Sequence, residues 1–206
     1  VIRANDITIA EHLQLVSDDT PLVYDAGEFK RPVDYFRNYN SIYRGSFNPV
    51  TLTHTNIGEG SLFEISLNNI RKDPVPLSEI ADRISEIEAT GNPVLITAGL
   101  PAFVQLDDLL ISRGGKPFRY IVGVDTFNAI VADKYNPTPN YLTQFYLDGS
   151  SFIVVPRDGM EVATNYRVAS VKWEYYMGEY DQTISSTRVR NGELELVPVA
   201  ARELVA

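Results

Sequence analysis

Two short segments, far apart in the chain, contain residues that can bind phosphate. Gly45–His54 reads GSFNPVTLTH and follows an apolar run, and Ile184–Arg190 reads ISSTRVR. The first has small and polar residues where a strand would turn into a loop, and a histidine where a helix would begin. The second opens a predicted helix with hydroxyl groups, and two arginines follow. A helix N-terminus offers free N–H groups, and arginine offers paired donors for phosphate oxygens. Together the two segments predict a folded-over nucleotide pocket.

Each of these residues also has a purely structural interpretation. Gly45 can be an ordinary glycine at the end of a strand. His54 can cap a helix, and Ser185-Ser186-Thr187 can be an N-cap cluster. The whole pattern around His54 favours a functional role, and the arginines after the hydroxyl cluster favour phosphate binding. Asp125 can equally be a helix cap or a ligand contact. Arg157 is expected to be a solvated turn residue.

With these residues in place, the chain resembles the nucleotidyltransferase superfamily, the class with an HxGH-type signature. The nearest branches are the nicotinate/nicotinamide mononucleotide adenylyltransferases and the phosphopantetheine adenylyltransferases. Thr51, at the first-histidine position, is similar to the pantetheine branch, whereas Ile184–Arg190 is similar to the nicotinate branch. Thr53 departs from the pattern, because the family usually has glycine there.

A second resemblance covers most of the stretch from Ser41 to Arg190. It is to the cytidylyltransferase-like domain of some two-part proteins, where this domain follows an amidohydrolase-like domain acting in pyridine-nucleotide salvage. The matching segments are Phe63–Asn69 (FEISLNN), Pro76–Ile80 (PLSEI) with Arg83, Pro93–Thr97 (PVLIT) and Tyr120–Thr126 (YIVGVDT). The resemblance implies small nucleotide substrates, with an upstream amidohydrolase-like domain or a second copy in a homo-oligomer as the partner.

The superfamily resemblance also implies a reaction and a role for each residue. A phosphate monoester attacks the α-phosphorus of a nucleoside triphosphate and releases pyrophosphate. With a second pKa of about 6, this nucleophile is largely ionised near neutral pH and needs no strong general base. His54 is expected to donate to the α- or β-phosphate, Thr51 to add a hydrogen bond, and Arg190 to hold the β- and γ-phosphates. The further nucleotide-binding residues are expected to be Gly45, Ser46, Phe47, Asn48, Gly123, Asp125, Ser185, Ser186 and Thr187. Mg²⁺ is expected to bridge phosphate oxygens through water and substrate, with no metal ligand from protein side chains.

Three functions follow from these motifs. The leading one is an adenylyltransferase that acts on a nicotinamide or nicotinate mononucleotide in NAD metabolism. The enzymatic alternative is a cytidylyltransferase or a phosphopantetheine-type adenylyltransferase with another phosphorylated acceptor. The third is a catalytically silent nucleotide-binding module, which Thr53 and the short connection from His54 to Phe63 favour.

Composition fits one enzyme domain of ordinary globular character. The 206 residues are 44% hydrophobic and 22% charged, enough to bury a sizeable core. The net charge of -9 argues against a nucleic-acid surface, and no apolar run approaches the ~20 residues that span a bilayer. The chain has no cysteine and two histidines, which excludes disulfides, thiolate catalysis and a three-histidine metal centre. The lack of cysteine fits a cytoplasmic setting.

The elements that must position the motifs alternate along residues 41–206, the expected nucleotidyltransferase domain. Repeated strand–helix units with apolar strands predict an α/β fold, a doubly wound parallel sheet of Rossmann-like type. The expected strands are Ser41–Arg44, Phe63–Leu67, Val94–Thr97, Phe118–Val122, Phe152–Val155 and Val171–Tyr176, and the expected helices are Leu77–Ala89, Phe103–Leu110 and Asp125–Ala132. Ligands of such sheets bind at the carboxyl ends of strands, where the strand order reverses.

Two regions match this pattern less well. Residues 1–40 are expected to contain a short helix capped by Asn5 or Asp6 and ending near Val16, followed by a turn-rich stretch. They are interpreted as the end or linker of a larger polypeptide, or as an extension packing on the core. Residues 133–150, with two prolines and several tyrosines, are interpreted as a surface loop or as a lid near the acceptor base.

Overall fold

The computed structural model of the chain describes residues 4–17, 20–67, 75–98, 103–113, 115–132, 141–157, 159–164, 168 and 171–205. The strands in this part are β1 (Leu22–Asp25), β2 (Glu28–Lys30), β3 (Ser41–Arg44), β4 (Leu62–Ser66), β5 (Val94–Thr97), β6 (Arg119–Gly123), β7 (Ser151–Val155) and β8 (Lys172–Tyr175). The helices are α1 (Ala4–Leu13), α2 (Pro32–Asn38), α3 (Leu52–Ile57), α4 (Leu77–Glu88), α5 (Phe103–Ser112), α6 (Val124–Val131), α7 (Tyr141–Leu147), α8 (Ser186–Arg190) and α9 (Arg202–Val205). Short 3₁₀ turns cover Leu194–Leu196 and Val199–Ala201.

All the strands form one sheet in the order β2-β1-β5-β4-β3-β6-β7-β8. The strands from β3 to β8 are parallel to one another, so the chain crosses over the sheet between them. From β3 the chain first moves outward through β4 and β5, then returns to the other side of β3 with β6. The strand order therefore reverses between β3 and β6, and the crevice outside their carboxyl ends is where such sheets bind ligands. The doubly wound, Rossmann-like fold predicted from the sequence is confirmed.

The two faces of the sheet bury separate apolar cores, because successive side chains of a strand point to opposite faces. Ile42 and Leu62 pack on the face covered by α2, α5, α6 and α7, which we call the α5 face. Tyr43 and Phe63, one residue further along each strand, pack on the face covered by α1, α3, α4 and α8, which we call the α3 face. A sheet covered on both sides explains why its strands are almost continuously apolar.

The N-terminal part of the chain extends this sheet. β1 pairs antiparallel with β5, placing Val23 opposite Leu95, and turns back into β2 through Ala26 and Gly27. These two residues have positive φ angles of 52° and 76°, as a two-residue hairpin turn of type I′ requires. The sequence predicts only a turn-rich stretch in this segment. In the structure the turn residues flank the short strands of a hairpin.

Helices α1 and α2 attach the same segment to the core. Ile9 and Leu13 of α1 are buried on the α3 face, and Phe36 of α2 is buried on the α5 face. Pro32 is the first residue of α2, where its missing N–H costs no intrahelical bond.

The expected elements from residue 41 onward are present with boundaries shifted by at most two residues. The interpretation of residues 133–150 as a loop is wrong for Tyr141–Leu147, which form α7. Phe145 of this helix is buried and stacks on Phe152, with ring centroids 4.7 Å apart, so α7 belongs to the core of the α5 face. Residues 133–140 lie outside the described ranges. No helix within those ranges has the length and apolar character to cross a membrane.

Candidate active site

The first motif begins with a loop, residues 45–50, between the end of β3 and the start of α3. Gly45 leaves the sheet beside Gly123 of β6. This follows from the parallel register, because Tyr43 and Ile121, which precede these glycines by two residues, are paired. A Cβ atom on Gly45 would lie 2.8 Å from the ring of Phe47, so only glycine fits here. Phe47 has a φ of 43°, and its buried ring packs beneath the loop. Phe47 thus shapes the loop through the core, although the sequence predicts it as a nucleotide contact.

Thr51 and His54 form a reciprocal cap at the start of α3. The Thr51 hydroxyl accepts from the backbone N–H of His54 at 3.3 Å, and the His54 Nδ1 accepts from the backbone N–H of Thr51 at 3.1 Å. Because Nδ1 accepts a hydrogen bond, it carries a lone pair, and the hydrogen of the neutral ring is on Nε2. Burial, with a contribution from the positive charge of Arg157, lowers the pKa of His54 to about 4. His54 is therefore a neutral N–H donor near pH 7.

The second motif lies directly against the first. Ser186 donates its hydroxyl to the backbone carbonyl of Pro49 at 2.8 Å, and the guanidinium of Arg190 donates to the backbone carbonyl of Asn48. Ser185 caps α8 by accepting from the N–H of Arg188 at 3.3 Å. Two segments more than a hundred residues apart in sequence thus meet at one place in the fold, as the sequence predicts for one cleft.

The two arginines of α8 have different surroundings. Arg188 forms an ion pair with Glu193 and donates to the backbone carbonyl of Thr183 at 3.0 Å. Arg190 instead donates to the Thr187 hydroxyl at 3.0 Å and to the loop, and no carboxylate pairs with it within the described ranges. A guanidinium bonded to neutral oxygens keeps its full charge for an anionic ligand. Arg190 is thus the better phosphate candidate, as predicted from its position in the helix.

Helix α4 holds the loop from its other side. Glu86 accepts from the backbone N–H of Val50 at 3.2 Å, Arg83 donates to the backbone carbonyl of Ser46 at 3.4 Å, and Glu79 accepts from the Asn48 side chain at 3.1 Å. Glu79 also forms an ion pair with Arg83. Burial raises the pKa of Glu86 to about 7.

The three α4 side chains that hold the loop, which we call the α4 clamp, are not predicted as a group from the sequence. Glu79, Arg83 and Glu86 stand three and four residues apart, so they lie on one face of α4. That spacing indicates that the three side chains act together. The pattern of the apolar residues does not indicate that this polar side of α4 contacts the loop of residues 45–50.

The carboxyl end of β6 completes the cleft with Gly123, Asp125 and Arg157. The cap residue of α6 is Gly123, so Asp125 lies in the first turn and is not the cap. Its Oδ1 is buried without a hydrogen bond and lies 3.6 Å from Nη1 of Arg157. The Arg157 side chain is 64% exposed, at a turn where Arg157 pairs with Met160, and its charge contributes to the lowered pKa of His54. Arg157 is thus a solvated turn residue, as interpreted from the sequence, and its positive charge acts on the candidate donor.

The polar side chains that meet at this cleft are mainly hydrogen-bond donors. Among the residues that the structure describes, no group of three or more histidine, aspartate or glutamate side chains could hold a metal ion. The donor set suits an anion, and a cation accompanying it would take its ligands from the anion and water.

The fold is an α/β fold of Rossmann-like type, with the two motifs at the carboxyl ends of its central strands. No protein-family model matches the chain, and no curated protein matches it. Among solved structures it is similar to Plasmodium falciparum nicotinic acid mononucleotide adenylyltransferase complexed with NaAD, with a TM-score of 0.51 and 14% identity over 73% of this chain and 82% of that one. The same enzyme complexed with APC matches with a TM-score of 0.47 and 12% identity over 80% of this chain and 88% of that one. The first of these likenesses shows the fold that the resemblance drawn from the sequence implies.

Proposed function

We propose that this protein is a nucleotidyltransferase that transfers a nucleoside monophosphate from ATP to a phosphorylated acceptor and releases pyrophosphate. The acceptor we favour is a pyridine mononucleotide, which would make the protein an adenylyltransferase of NAD metabolism. The carrying observation is the direct contact between the motifs, in which Ser186 and Arg190 bond to Pro49 and Asn48. In the proposal, this contact holds a neutral donor and a guanidinium that has no carboxylate partner among the described residues at the crevice where the strand order reverses.

The chemistry needs positioning more than it needs a base. The acceptor phosphate, with a pKa of about 6, already carries the charge of a nucleophile. Its oxygen forms a bond to the α-phosphorus while the bond from that phosphorus to the bridging oxygen breaks, and pyrophosphate leaves with the electron pair. His54 Nε2–H would donate to a non-bridging phosphate oxygen, and Arg190 would hold the β- and γ-phosphates, whose charge it neutralises in the bound substrate as well as in the transition state.

Thr51 takes a supporting role in this scheme. Its backbone N–H and hydroxyl both lie 3.1 Å from Nδ1 of His54, which orients the imidazole and fixes its tautomer. The direct hydrogen bond from Thr51 to phosphate that the sequence suggests is thus replaced in our proposal by the positioning of His54.

Mg²⁺ belongs to the proposal as a companion of the triphosphate. When bound, it would neutralise phosphate charge and orient the chain of phosphates. The cleft supplies mostly donors, so the ion would be held by phosphate oxygens and water. We further propose a cytoplasmic setting, and we keep an upstream amidohydrolase-like domain or a homo-oligomer as predicted partners.

Two alternatives are retained. A cytidylyltransferase or a phosphopantetheine-type adenylyltransferase would use the same phosphate contacts with a different base or acceptor. A silent nucleotide-binding module is favoured by Thr53, whose side chain occupies a position that the resemblance assigns to glycine.

An assay of pyrophosphate release distinguishes these functions. The protein is incubated with Mg²⁺ and ATP or CTP, together with nicotinamide mononucleotide, nicotinate mononucleotide or phosphopantetheine, and products are identified by mass spectrometry. We expect ATP and a pyridine mononucleotide to give pyrophosphate and a dinucleotide. Turnover with CTP or with phosphopantetheine would support the enzymatic alternative, and ATP binding with no turnover would support the silent module.

The same assay tests His54 against the other histidine. His54→Ala is expected to lower turnover by about 10²–10³-fold, the usual cost of removing one transition-state donor. His12→Ala is the matched control, since His12 stacks on Phe29 with ring centroids 4.6 Å apart, in the N-terminal part of the fold. Unchanged turnover with a large loss of thermal stability in His54→Ala would assign His54 to the fold.

A further inference from the structure

Thr53 makes a long-range hydrogen bond that links the first motif to the turn preceding the second motif. Its hydroxyl donates to the backbone carbonyl of Asp181 at 2.9 Å, across 128 positions of sequence. Thr53 is 9% exposed and Asp181 is exposed, so the bond is partly buried. A partly buried hydrogen bond between distant segments restrains one of them relative to the other.

Asp181 begins a turn that leads into α8. Its Oδ1 accepts from the backbone N–H of Thr183 at 2.8 Å and from the Thr183 hydroxyl at 2.7 Å. Arg188 of α8 then donates to the backbone carbonyl of Thr183 at 3.0 Å. The turn is therefore braced internally and bonded to the helix that follows, so restraining Asp181 also restrains α8.

The other side of α8 is held by the motif loop, through Ser186 and Arg190. Helix α8 has 5 residues and is too short to be stable in its position without such attachments. Thr53 on one side and the loop on the other thus fix α8 between two parts of the first motif. Glycine, which the resemblance assigns to position 53, has no hydroxyl and would leave α8 attached through the loop and the buried side chain of Val189.

We propose that Thr53 is a positioning residue, which holds the turn at Asp181 so that Arg190 is placed for the triphosphate. The proposal rests on the proposed function for the identity of the ligand. It also gives the departure at Thr53 a role in an active site, whereas the silent-module alternative treats the same residue as a defect.

Three substitutions separate the hydroxyl from the rest of the side chain. Thr53→Val keeps the shape and removes the donor, and Thr53→Ser keeps the donor and removes a methyl group. Thr55→Val is the matched control, because the Thr55 hydroxyl donates to the Leu52 carbonyl at 3.0 Å within the same helix. Should valine pack badly at position 53, comparing Thr53→Ala with Thr53→Ser makes the same test.

The first measurement is amide hydrogen exchange in the absence of nucleotide. We expect Thr53→Val to speed exchange at Thr183 and Ile184 by about 3- to 10-fold, the range that follows from losing one neutral hydrogen bond. Thr53→Ser and Thr55→Val should match the wild type. Equal exchange in Thr53→Val and Thr55→Val, or no rescue by serine, would overturn the tether.

The second measurement is the split between KM and kcat for ATP. Thr53→Val is expected to raise KM for ATP by about 3- to 10-fold with little change in kcat, because Arg190 binds the triphosphate but the reacting atoms stay aligned by His54. Faster exchange at the turn with an unchanged KM would overturn the placement of Arg190 while leaving the tether. If the wild type releases no pyrophosphate, the proposed function fails, and hydrogen exchange with the ATP dissociation constant still decides the proposal.

Discussion

Polar side chains lie on both faces of the sheet, but they differ in burial and in their hydrogen-bond partners. On the α5 face, Glu64 pairs with Arg44 at 3.0 Å and accepts from Thr97 at 2.5 Å, and both carboxylate contacts are internal. On the α3 face, His54 and Arg190 bond to backbone atoms and hydroxyl groups and are partly exposed. A buried carboxylate paired with a cation inside the protein stabilises or specifies a fold, even where single atoms such as Glu64 Oε2 have no hydrogen bond, whereas cationic or N–H donors bonded only to neutral groups can still receive an anion. The contrast supports the proposed site on the α3 face.

A second buried carboxylate supports this interpretation of the α5 face, although its Oδ2 has no hydrogen-bond partner among the described residues. Asp107 accepts from the Tyr120 hydroxyl at 2.8 Å and from the Ser150 hydroxyl at 2.7 Å, and Asp107, Tyr120 and Ser150 are all 0% exposed. Burial raises the pKa of Asp107 to about 6. A perturbed pKa is often taken as a sign of catalysis, but here the group has no access to a ligand.

The largest effect that would test the contrast is on stability at the α5 face. Arg44→Met leaves the Glu64 carboxylate, which is fully buried and whose pKa burial already raises, without its cation. We expect the free energy of unfolding in urea to fall by about 3–5 kcal/mol. Adding Glu64→Gln should recover part of this loss, because the neutral amide needs no counter-charge.

A matched surface pair controls for the removal of an arginine. Arg119 pairs with Glu174 where the two side chains are 52% and 59% exposed. Arg119→Met should therefore cost less than about 1 kcal/mol. Similar losses for Arg44→Met and Arg119→Met would show that the internal network contributes little, and the contrast between the faces would disappear.

The next effect is on binding at the α3 face. Arg190→Ala is expected to weaken ATP binding by roughly 10- to 100-fold, as loss of a charged hydrogen bond predicts, and to weaken AMP binding much less. Arg190→Lys should recover only part, because a point charge does not reproduce paired donors. Calorimetric titration with both nucleotides measures these differences.

Arg188 supplies the comparison for that titration. Because it pairs with Glu193, Arg188→Ala is expected to affect stability more than nucleotide binding. Equal losses for ATP and AMP in Arg190→Ala would assign Arg190 to the fold or to the acceptor phosphate. In that case the second motif would lose its role as the triphosphate site.

The smallest effect is a pH dependence of stability from Asp107. Its pKa is raised from 3.8 to about 6 on folding, so between these values the folded state binds more protons than the unfolded state. Asp107 therefore stabilises the fold less as pH rises from about 4 to about 6, by an amount on the order of 1 kcal/mol. Asp107→Asn should lack this decline when urea unfolding is measured across the interval. The same decline in wild type and variant would mean that other groups cause it.

The sequence by itself determined the parallel sheet and the residues of the two motifs. Apolar strands such as Val94–Thr97 are recognised from the sequence alone, because both of their faces are buried and nearly all their residues are therefore apolar. Phosphate chemistry requires residue types at short spacing, and short spacing is visible in a one-dimensional pattern. The capping relation between Thr51 and His54 is of this local kind.

Only the tertiary structure decided which partners these residues have. The strands of the hairpin β1–β2 are too short to be predicted from the sequence. They form because β1 pairs with β5 at the edge of the parallel strands. The contact of Arg190 with Asn48, the clamp by Glu86 and the bond from Thr53 to Asp181 each join segments distant in sequence. Such contacts depend on how the strand order reverses, and residue spacing along the chain carries no information about them.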